Sequence, residues 1–276
     1  MRADLHVHSI YSDGFCAPDE LCRLAKIRGV ELLSITDHDT MNGEETKRAA
    51  AKKHGVNYLS GWEISAYQEG EQVHILGYGC AQNAAYLTFM EKRMEMAWLR
   101  AKERVEKLHL LGVPVTMEQV LTFRKDPTAP IHTMHVARAA AAILGLHDSE
   151  VYKEYLARGK AAYSDIGRPT PFEAIDCIHA SGGIAVMAHP GRIWISAEEK
   201  ETLIKSLAEY GLDGIEAFYT THTEKETAWF KDLAERYHLL ITGGSDTHIE
   251  DKTHTIGSPA FYADEKLLQK LHSLIV

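Results

Sequence analysis

Six histidines and three carboxylates stand at or just beyond strand-like segments spread over the whole chain: His6, His8, Asp13, His38, Glu63, His74, His189, Asp246 and His248. Catalytic groups converge where strand ends gather on one face of a barrel. Mixed imidazole and carboxylate donors suit Mn, Zn or Fe better than Mg or Ca. His6 and His8 lie two apart on one strand, so both rings point to one face, and Asp246 and His248 repeat that spacing. More than one divalent ion is therefore expected. Two of them, roughly 3.5–4 Å apart, would activate a water and clamp both ends of an in-line displacement. Any further ion would neutralise charge on a transferring phosphoryl group. The chemistry this implies is metal-dependent hydrolysis of a phosphate ester.

Taken singly, each position has an ordinary alternative. With sixteen histidines in 276 residues, an HxH pair can arise by chance. Asp13 in SDG could be a turn former. Glu63 could be a surface residue and His74 a paired core histidine. Asp37 and His38 end an apolar strand, where burial is costly without a metal or a hydrogen-bond partner. Asp37 or Asp39 could orient an imidazole, and Asp39 could equally cap the next helix. It is the joint occurrence at strand ends that points to metal. No Ser-His-Asp or Cys-His nucleophile pattern and no phosphate-cradling glycine loop competes with it.

The formal charge of -9 leaves no basic stripe for a long nucleic acid or a membrane surface. A small phosphorylated substrate is compatible, because bound dications would invert the local field. The four cysteines form no CxxC pair, and the opening MRADLHVHS has no apolar leader. A cytoplasmic protein without a membrane span is expected. Composition says nothing of the oligomeric state.

The elements that must position these residues alternate over the first 80 positions. LHVH, ELLSIT, VNYLSGWEIS and VHILGYG read as strands, with helices PDELCRLAKIRG and GEETKRAAAKKHG between the earlier ones. Such alternation predicts parallel pairing. Positions 84–158 read as helices alone. Met94, Ala97, Ala101, Val105 and Leu108 mark the apolar face of a long helix whose Lys, Arg and Glu residues are expected in solvent. KDPTAPIHTMH (125–135) reads as a loop, followed by the helix HVARAAAAILGL. Alternation resumes after Pro171, with strands GIAVMAH, GIEAFY, LLITGG and SPAFYA. The expected architecture is α/β: a barrel of seven or eight strands in residues 1–82 and 169–276, with a helical cap inserted at 83–168.

The ordered motifs HVHSIYSDG, SITDHDT, GWEIS, VHILGY, GGIAVMAHPGR and GGSDTH resemble those of the polymerase and histidinol phosphatase (PHP) family from end to end of the barrel. The chain looks most like the stand-alone bacterial branch acting on nucleotides, which has a similar helical insertion and a stretch similar to YLARGKAAYSD. This resemblance implies a distorted (β/α)7 barrel. It also implies that His6, His8, Glu63 and Asp246 hold one ion, Asp13, His38 and His248 a second, and Glu63, His74 and His189 a third, with Glu63 bridging. The insertion in that family carries an Arg-x-His-x-x-Arg run, whereas here the first arginine is replaced by Thr133, ahead of His135 and Arg138. That departure weakens the expectation of a second, more distal substrate phosphate.

Substrate contacts follow from position and resemblance. Arg192, directly after the AHPG turn, could clamp phosphate or form a surface salt bridge. His135 and Arg138 in the cap and His254 after the last motif are further candidates for substrate binding. His222 could protonate the leaving group, and Asp37 is grouped with it as catalytic. The expected substrates are nucleotide phosphomonoesters, namely AMP, 3′,5′-bisphosphates and short 5′-phosphorylated oligonucleotides. Histidinol phosphate is the alternative substrate, and a non-catalytic metal-binding module is the alternative role.

Overall fold

The computed structural model describes residues 1–124, 127–249 and 254–275. Of the expected 125–135 loop, Lys125 and Asp126 lie outside the described residues, as do 250–253 and Val276. The chain divides into two compact units, one from Met1–Tyr86 with Thr170–Val276, the other Leu87–Pro169.

The first unit is built on nine described strands: β1 (Arg2–Val7), β2 (Leu32–Ile35), β3 (Asn57–Tyr58), β4 (Gly61–Gln68), β5 (Glu71–Tyr78), β6 (Ile184–Met187), β7 (Gly214–Tyr219), β8 (Leu240–Gly244) and β9 (Phe261–Tyr262). They form two sheets, ordered β3-β2-β1-β9 and β4-β5-β6-β7-β8. Single bridges stitch the sheets together on both sides. Val7 pairs with Thr247 just beyond β8, and His38, just beyond β2, pairs with Glu63 of β4. The backbone amide of Asp246 donates to His6 O at 2.7 Å, and that of Asp39 to Glu63 O at 2.8 Å. The ring β1-β2-β4-β5-β6-β7-β8 therefore closes through isolated bridges rather than continuous ladders. The fold is α/β, a distorted seven-stranded barrel. Leu5, Leu76, Val186 and Leu240 are among the residues filling one side of its core, and Val7, Leu21, Leu33 and Ile35 another.

Two expectations about this unit need correction. The sequence run VNYLSGWEIS is two strands, and β4, β5 and β6 pair antiparallel rather than parallel. The cause is a two-residue hairpin turn, in which Glu69 (φ 51) and Gly70 (φ 83) are both left-handed. A turn with two positive φ values matches the twist of the strands it joins, and glycine takes the second position without strain. Helices enter the outer layer with defined starts. Pro18 opens the helix Pro18–Ile27, and reciprocal Ser/Thr–Glu caps open Pro171–Ala180, Ala197–Tyr210 and Glu224–Arg236.

The second unit packs helices around Ala101, Val105, Leu108, Val136, Ala140 and Val151. Its helix Thr133–Leu144 stops at left-handed Gly145, and the loop expected at 125–135 ends three residues earlier, at His132, since Thr133 is already helical. The long helix Ala84–Leu110 keeps Lys92 and Lys102 in solvent as expected, but not its arginines. Arg93, Arg100 and Arg104 are buried. Arg100 donates to Ile166 O at 2.7 Å and Arg104 to Ser164 O at 2.9 Å. Carbonyls some sixty residues away along the chain thus receive Arg100 and Arg104, a partnership that helical periodicity cannot reveal. None of the described helices is long and apolar enough to cross a membrane.

Candidate metal centre

The barrel brings all nine residues with ligand chemistry together. His6 is the penultimate residue of β1 and His8 follows the strand. Asp13 lies in the turn beyond it, His38 follows β2, His189 follows β6, and Asp246 and His248 follow β8. His74 and Glu63 depart from the strand-end expectation: His74 sits inside β5, and Glu63 is the third residue of the eight-residue β4 rather than its end. Because β5 runs against β6, its first half lies level with the carboxyl end of that strand, and Ala188 N donates to His74 O at 3.0 Å.

Glu63 is the hub. Its Oε1 lies 2.7 Å from His74 Nδ1 and 2.9 Å from His189 Nε2. Its Oε2 faces His38 Nδ1 at 2.9 Å, His6 Nε2 at 3.2 Å and His8 Nε2 at 3.3 Å. Asp246 Oδ1 is 3.0 Å from His8 Nε2. Asp13 Oδ1 is 3.2 Å from His248 Nε2, and its Oδ2 is 3.9 Å from His38 Nε2. Among the described residues, three sets of convergent donor atoms could hold an ion: His6, His8, Glu63 and Asp246; His8, Asp13, His38 and His248; His38, Glu63 and His74. His8 and His38 thus each serve two sets, whereas His189 stands outside the third and meets it through Glu63 and through an edge contact with the His74 ring, 5.1 Å between centroids.

This donor set fits divalent cations on its own chemistry. Glu63, His6 and His8 are fully buried, and Asp246 is nearly so. Glu63 Oε2 and Asp246 Oδ1 are buried without a hydrogen bond of normal geometry. His6 Nδ1 faces Glu216 at 3.1 Å, so this nitrogen carries the proton of the neutral ring and the Nε2 lone pair points inward. That Nε2 lies 3.1 Å from His8 Nε2. Lone pairs and carboxylate oxygens converging in a dry site repel one another unless a cation lies between them. The metal-free titration behaviour has the same origin. Burial alone would push the Glu63 carboxyl up, yet His74, His38 and His6 hold it well below the carboxylate range. Burial would push His6 down, yet Glu216, Glu63 and Asp246 hold it well above the imidazole range.

Several supporting residues escaped the sequence reading. Glu216, fully buried in β7, accepts from the His6 ring and from the His189 amide at 2.8 Å. A lone acid inside the apolar run GIEAFY was its only sequence signal. Asp37 has a task other than orienting an imidazole. It accepts from Ser9 N at 2.7 Å and from the Ser9 and Ser12 hydroxyls at 2.8 Å, and it pairs with fully buried Lys47 at 2.6 Å. It therefore shapes the loop that carries Asp13. Asp39 caps no helix; it accepts from Ser65 N at 2.9 Å. His189 (φ 25) and Asp246 (φ 52) are held in conformations that cost about 1–3 kcal/mol each, a form of strain concentrated at functional sites.

Glu216→Gln is expected to weaken divalent-ion affinity about 10- to 100-fold, the usual effect of losing an outer carboxylate that orients a ligating imidazole. Calorimetric titration with manganese checks this, and the variant should regain its rate at high metal concentration. An unchanged affinity would show that the His6 ring needs no partner to hold its orientation.

Of the expected substrate contacts, Arg192 and His254 line one pocket of about 400 Å3, together with the expected metal ligands Asp246 and His248 and with Tyr219, Thr221 and Ile249. Arg192 donates to Asp246 Oδ2 at 3.1 Å and to Tyr219 OH at 3.2 Å, while over half its side chain stays exposed. His222 is not free to protonate a leaving group. Its Nδ1 donates to Ala217 O at 3.0 Å, and its Nε2 accepts from Gly191 N at 3.1 Å. With both nitrogens engaged, and burial pushing its pKa down, it pins the turn that presents Arg192.

His135 and Arg138 belong to the helical unit. Arg138 pairs with Asp148 at 3.2 Å, and His135 Nδ1 accepts from His132 N at 3.1 Å. Burial, reinforced by His132, Arg138 and Arg124, lowers His135 to about 4. Its folded pKa lies below the unfolded value of about 6.5, so the unfolded chain takes up the proton first. Stability tied to this ring is complete above about pH 6.5 and is lost as pH falls toward 4, by no more than about 2 kcal/mol after allowance for partial exposure. Urea unfolding of His135→Gln should show a correspondingly flatter decline between pH 6.5 and 4 than the parent chain. Parallel declines would contradict this assignment.

Comparison with known proteins adds to this geometry. The PHP domain family model matches residues 4–253. A phosphoribosyl 1,2-cyclic phosphate 1,2-diphosphodiesterase of Eggerthella lenta is 33% identical, covering 90% of this chain and 94% of the relative. A 5′-3′ exoribonuclease of Haemophilus influenzae is 32% identical, covering 90% of both chains. A 3′,5′-nucleoside bisphosphate phosphatase of Chromobacterium violaceum is 32% identical over 89% of this chain and 86% of the relative. Among solved structures, a Chromobacterium violaceum amidohydrolase with bound sulfate and no metal superposes with a TM-score of 0.83 at 28% identity, over 100% of this chain and 98% of the other.

Proposed function

The chain belongs to the PHP family and is a phosphoesterase, and from that premise we propose that it hydrolyses phosphomonoesters of nucleotides with two to three Mn, Zn or Fe ions. The observation that carries the reading is the buried Glu63 carboxylate, with imidazoles converging on both of its oxygens and no normal hydrogen bond to Oε2. His6, His8, Glu63 and Asp246 would hold one ion, Asp13, His38, His248 and the shared His8 a second, and Glu63 with His74 a third. His38 and His189 lie beside that third group.

When bound, the ions lower the pKa of a water and neutralise phosphoryl charge. The protein's own residues supply position. Glu216 fixes the tautomer of His6, Asp37 holds the loop bearing Asp13, and His222 holds the turn before Arg192. Arg192, anchored by Tyr219 and Asp246, presents its remaining donors to phosphoryl oxygens in the fork geometry that suits them. The pocket volume suits a small ligand such as AMP or a 3′,5′-bisphosphate, with a short 5′-phosphorylated oligonucleotide as a longer form of the same substrate. The relatives' names supply the nucleotide class, and the sulfate-bearing neighbour shows an anion bound on a closely similar fold. Residues 83–168 enter this proposal as a cap insertion, supported by a hydrophobic core of their own.

The test is phosphate release by manganese-loaded protein from AMP, a 3′,5′-bisphosphate, a 5′-phosphorylated dinucleotide and histidinol phosphate. Turnover of at least one nucleotide, well above histidinol phosphate, is the expected result. Turnover of histidinol phosphate alone would overturn the substrate class.

A further inference from the structure

The loop between β1 and the helix Pro18–Ile27 carries an exposed aromatic ring that the metal chemistry does not use. Phe15 is 71% exposed, and Ile10 and Ile249 stand at 54% and 48%. Isolated exposed apolar residues are common, but this group borders a reaction centre. Asp13 lies two residues before Phe15. The Phe15 amide donates to His248 O at 2.8 Å, which seats Phe15 beside the strand end carrying His248 and Ile249.

The backbone beneath the ring is held on all sides. Ser12 N and Gly14 N both donate to Ser9 O, and Ile10 N donates to Cys16 O at 3.1 Å. Ser9 and Ser12 are tied to Asp37. Gly14 packs so closely that a side-chain carbon there would collide with the His8 carbonyl. Phe15 is thus an unburied ring on a fixed support, the arrangement that loses least conformational entropy when something flat settles on it.

The pocket indicates what that is. Ile249 and Arg192 line the same cavity, so a ligand whose phosphate meets Arg192 can extend toward Ile249, whose chain neighbour His248 accepts the Phe15 amide. We propose that Phe15, with Ile249 beside it, is the stacking shelf for the nucleobase of the substrate. The shelf rests on the nucleotide reading above and sharpens it: the protein distinguishes a nucleotide from a sugar phosphate by the base. A protein partner fits less well, since docking here would cover the side chains of Asp13 and His248.

The experiment compares AMP with ribose 5-phosphate, which keeps the sugar and the phosphate but lacks the base. Dissociation constants come from calorimetry and kcat/KM from phosphate release, on the manganese-loaded full chain. Stacking of one base corresponds to a factor of roughly ten to a hundred. AMP should therefore bind at least about tenfold tighter than ribose 5-phosphate. Phe15→Ala should remove most of that ratio by weakening AMP while changing ribose 5-phosphate less than twofold, and Phe15→Trp should restore it. Equal losses for both ligands, or an unchanged ratio, would overturn the shelf. If neither compound is hydrolysed the nucleotide reading fails, while the binding ratio still decides the role of Phe15.

Discussion

Glu63→Gln protein is expected to release phosphate on the order of a thousandfold more slowly than the parent chain, and to lose the thermal stabilisation that manganese confers. The side chain keeps its volume, so the barrel should still fold. What changes is that one oxygen becomes an amide nitrogen, which offers no lone pair to a cation. Whichever way the amide turns, its NH2 faces either the His74 and His189 pair or the His6, His8 and His38 group. Groups that act as one unit lose most of their joint effect when a single member is removed. Phosphate-release assays and thermal unfolding with and without manganese check both effects. A loss smaller than about tenfold would show that the carboxylate is not the hub.

Lys47→Met is expected to cost about 3–5 kcal/mol in unfolding free energy, the usual result of removing one partner from a buried ion pair. Burial alone would push the Asp37 carboxyl up; Lys47 is what holds it down. Without the ammonium group, a fully buried carboxylate keeps only the amide of Ser9 and two hydroxyls. The double variant Lys47→Met/Asp37→Asn should recover a large part of the loss, since no uncompensated charge remains. Urea unfolding measures both. If the single variant loses under about 1 kcal/mol, the serine contacts alone stabilise Asp37.

The residues with ligand chemistry could be singled out because imidazoles and acids are costly at the ends of apolar strands, and that cost is visible locally. The helix starts at Thr170, Ser196 and Thr223 carry a local signal of the same kind, a Ser or Thr three residues before a Glu, which the strand-and-helix alternation does not draw on. What escaped depends on partners distant in the chain. Lys47 lies on a helix whose sequence gives no sign of a buried partner, and only the fold shows Asp37 beside it. Arg104 reads as a surface residue until Ser164 O is placed against it. Glu216 was hidden inside a strand because nothing nearby in sequence announces His6. The antiparallel β4–β5 pair was missed for a different reason: Glu69-Gly70 is a hairpin signal, but alternation with helices elsewhere pointed to parallel pairing. His222 was misjudged because its free-looking nitrogen is taken by the Gly191 amide, a contact set by tertiary packing.

The most direct test of a metal-dependent phosphoesterase centred on Glu63 is a titration of chelator-treated protein with manganese, following bound ions and phosphate release from AMP on the same samples. Release should be absent at the start, should emerge only as at least two ions bind per chain, and should level off at two or three. Full activity in the chelated protein, or a rate that saturates with no ion bound, would contradict the account.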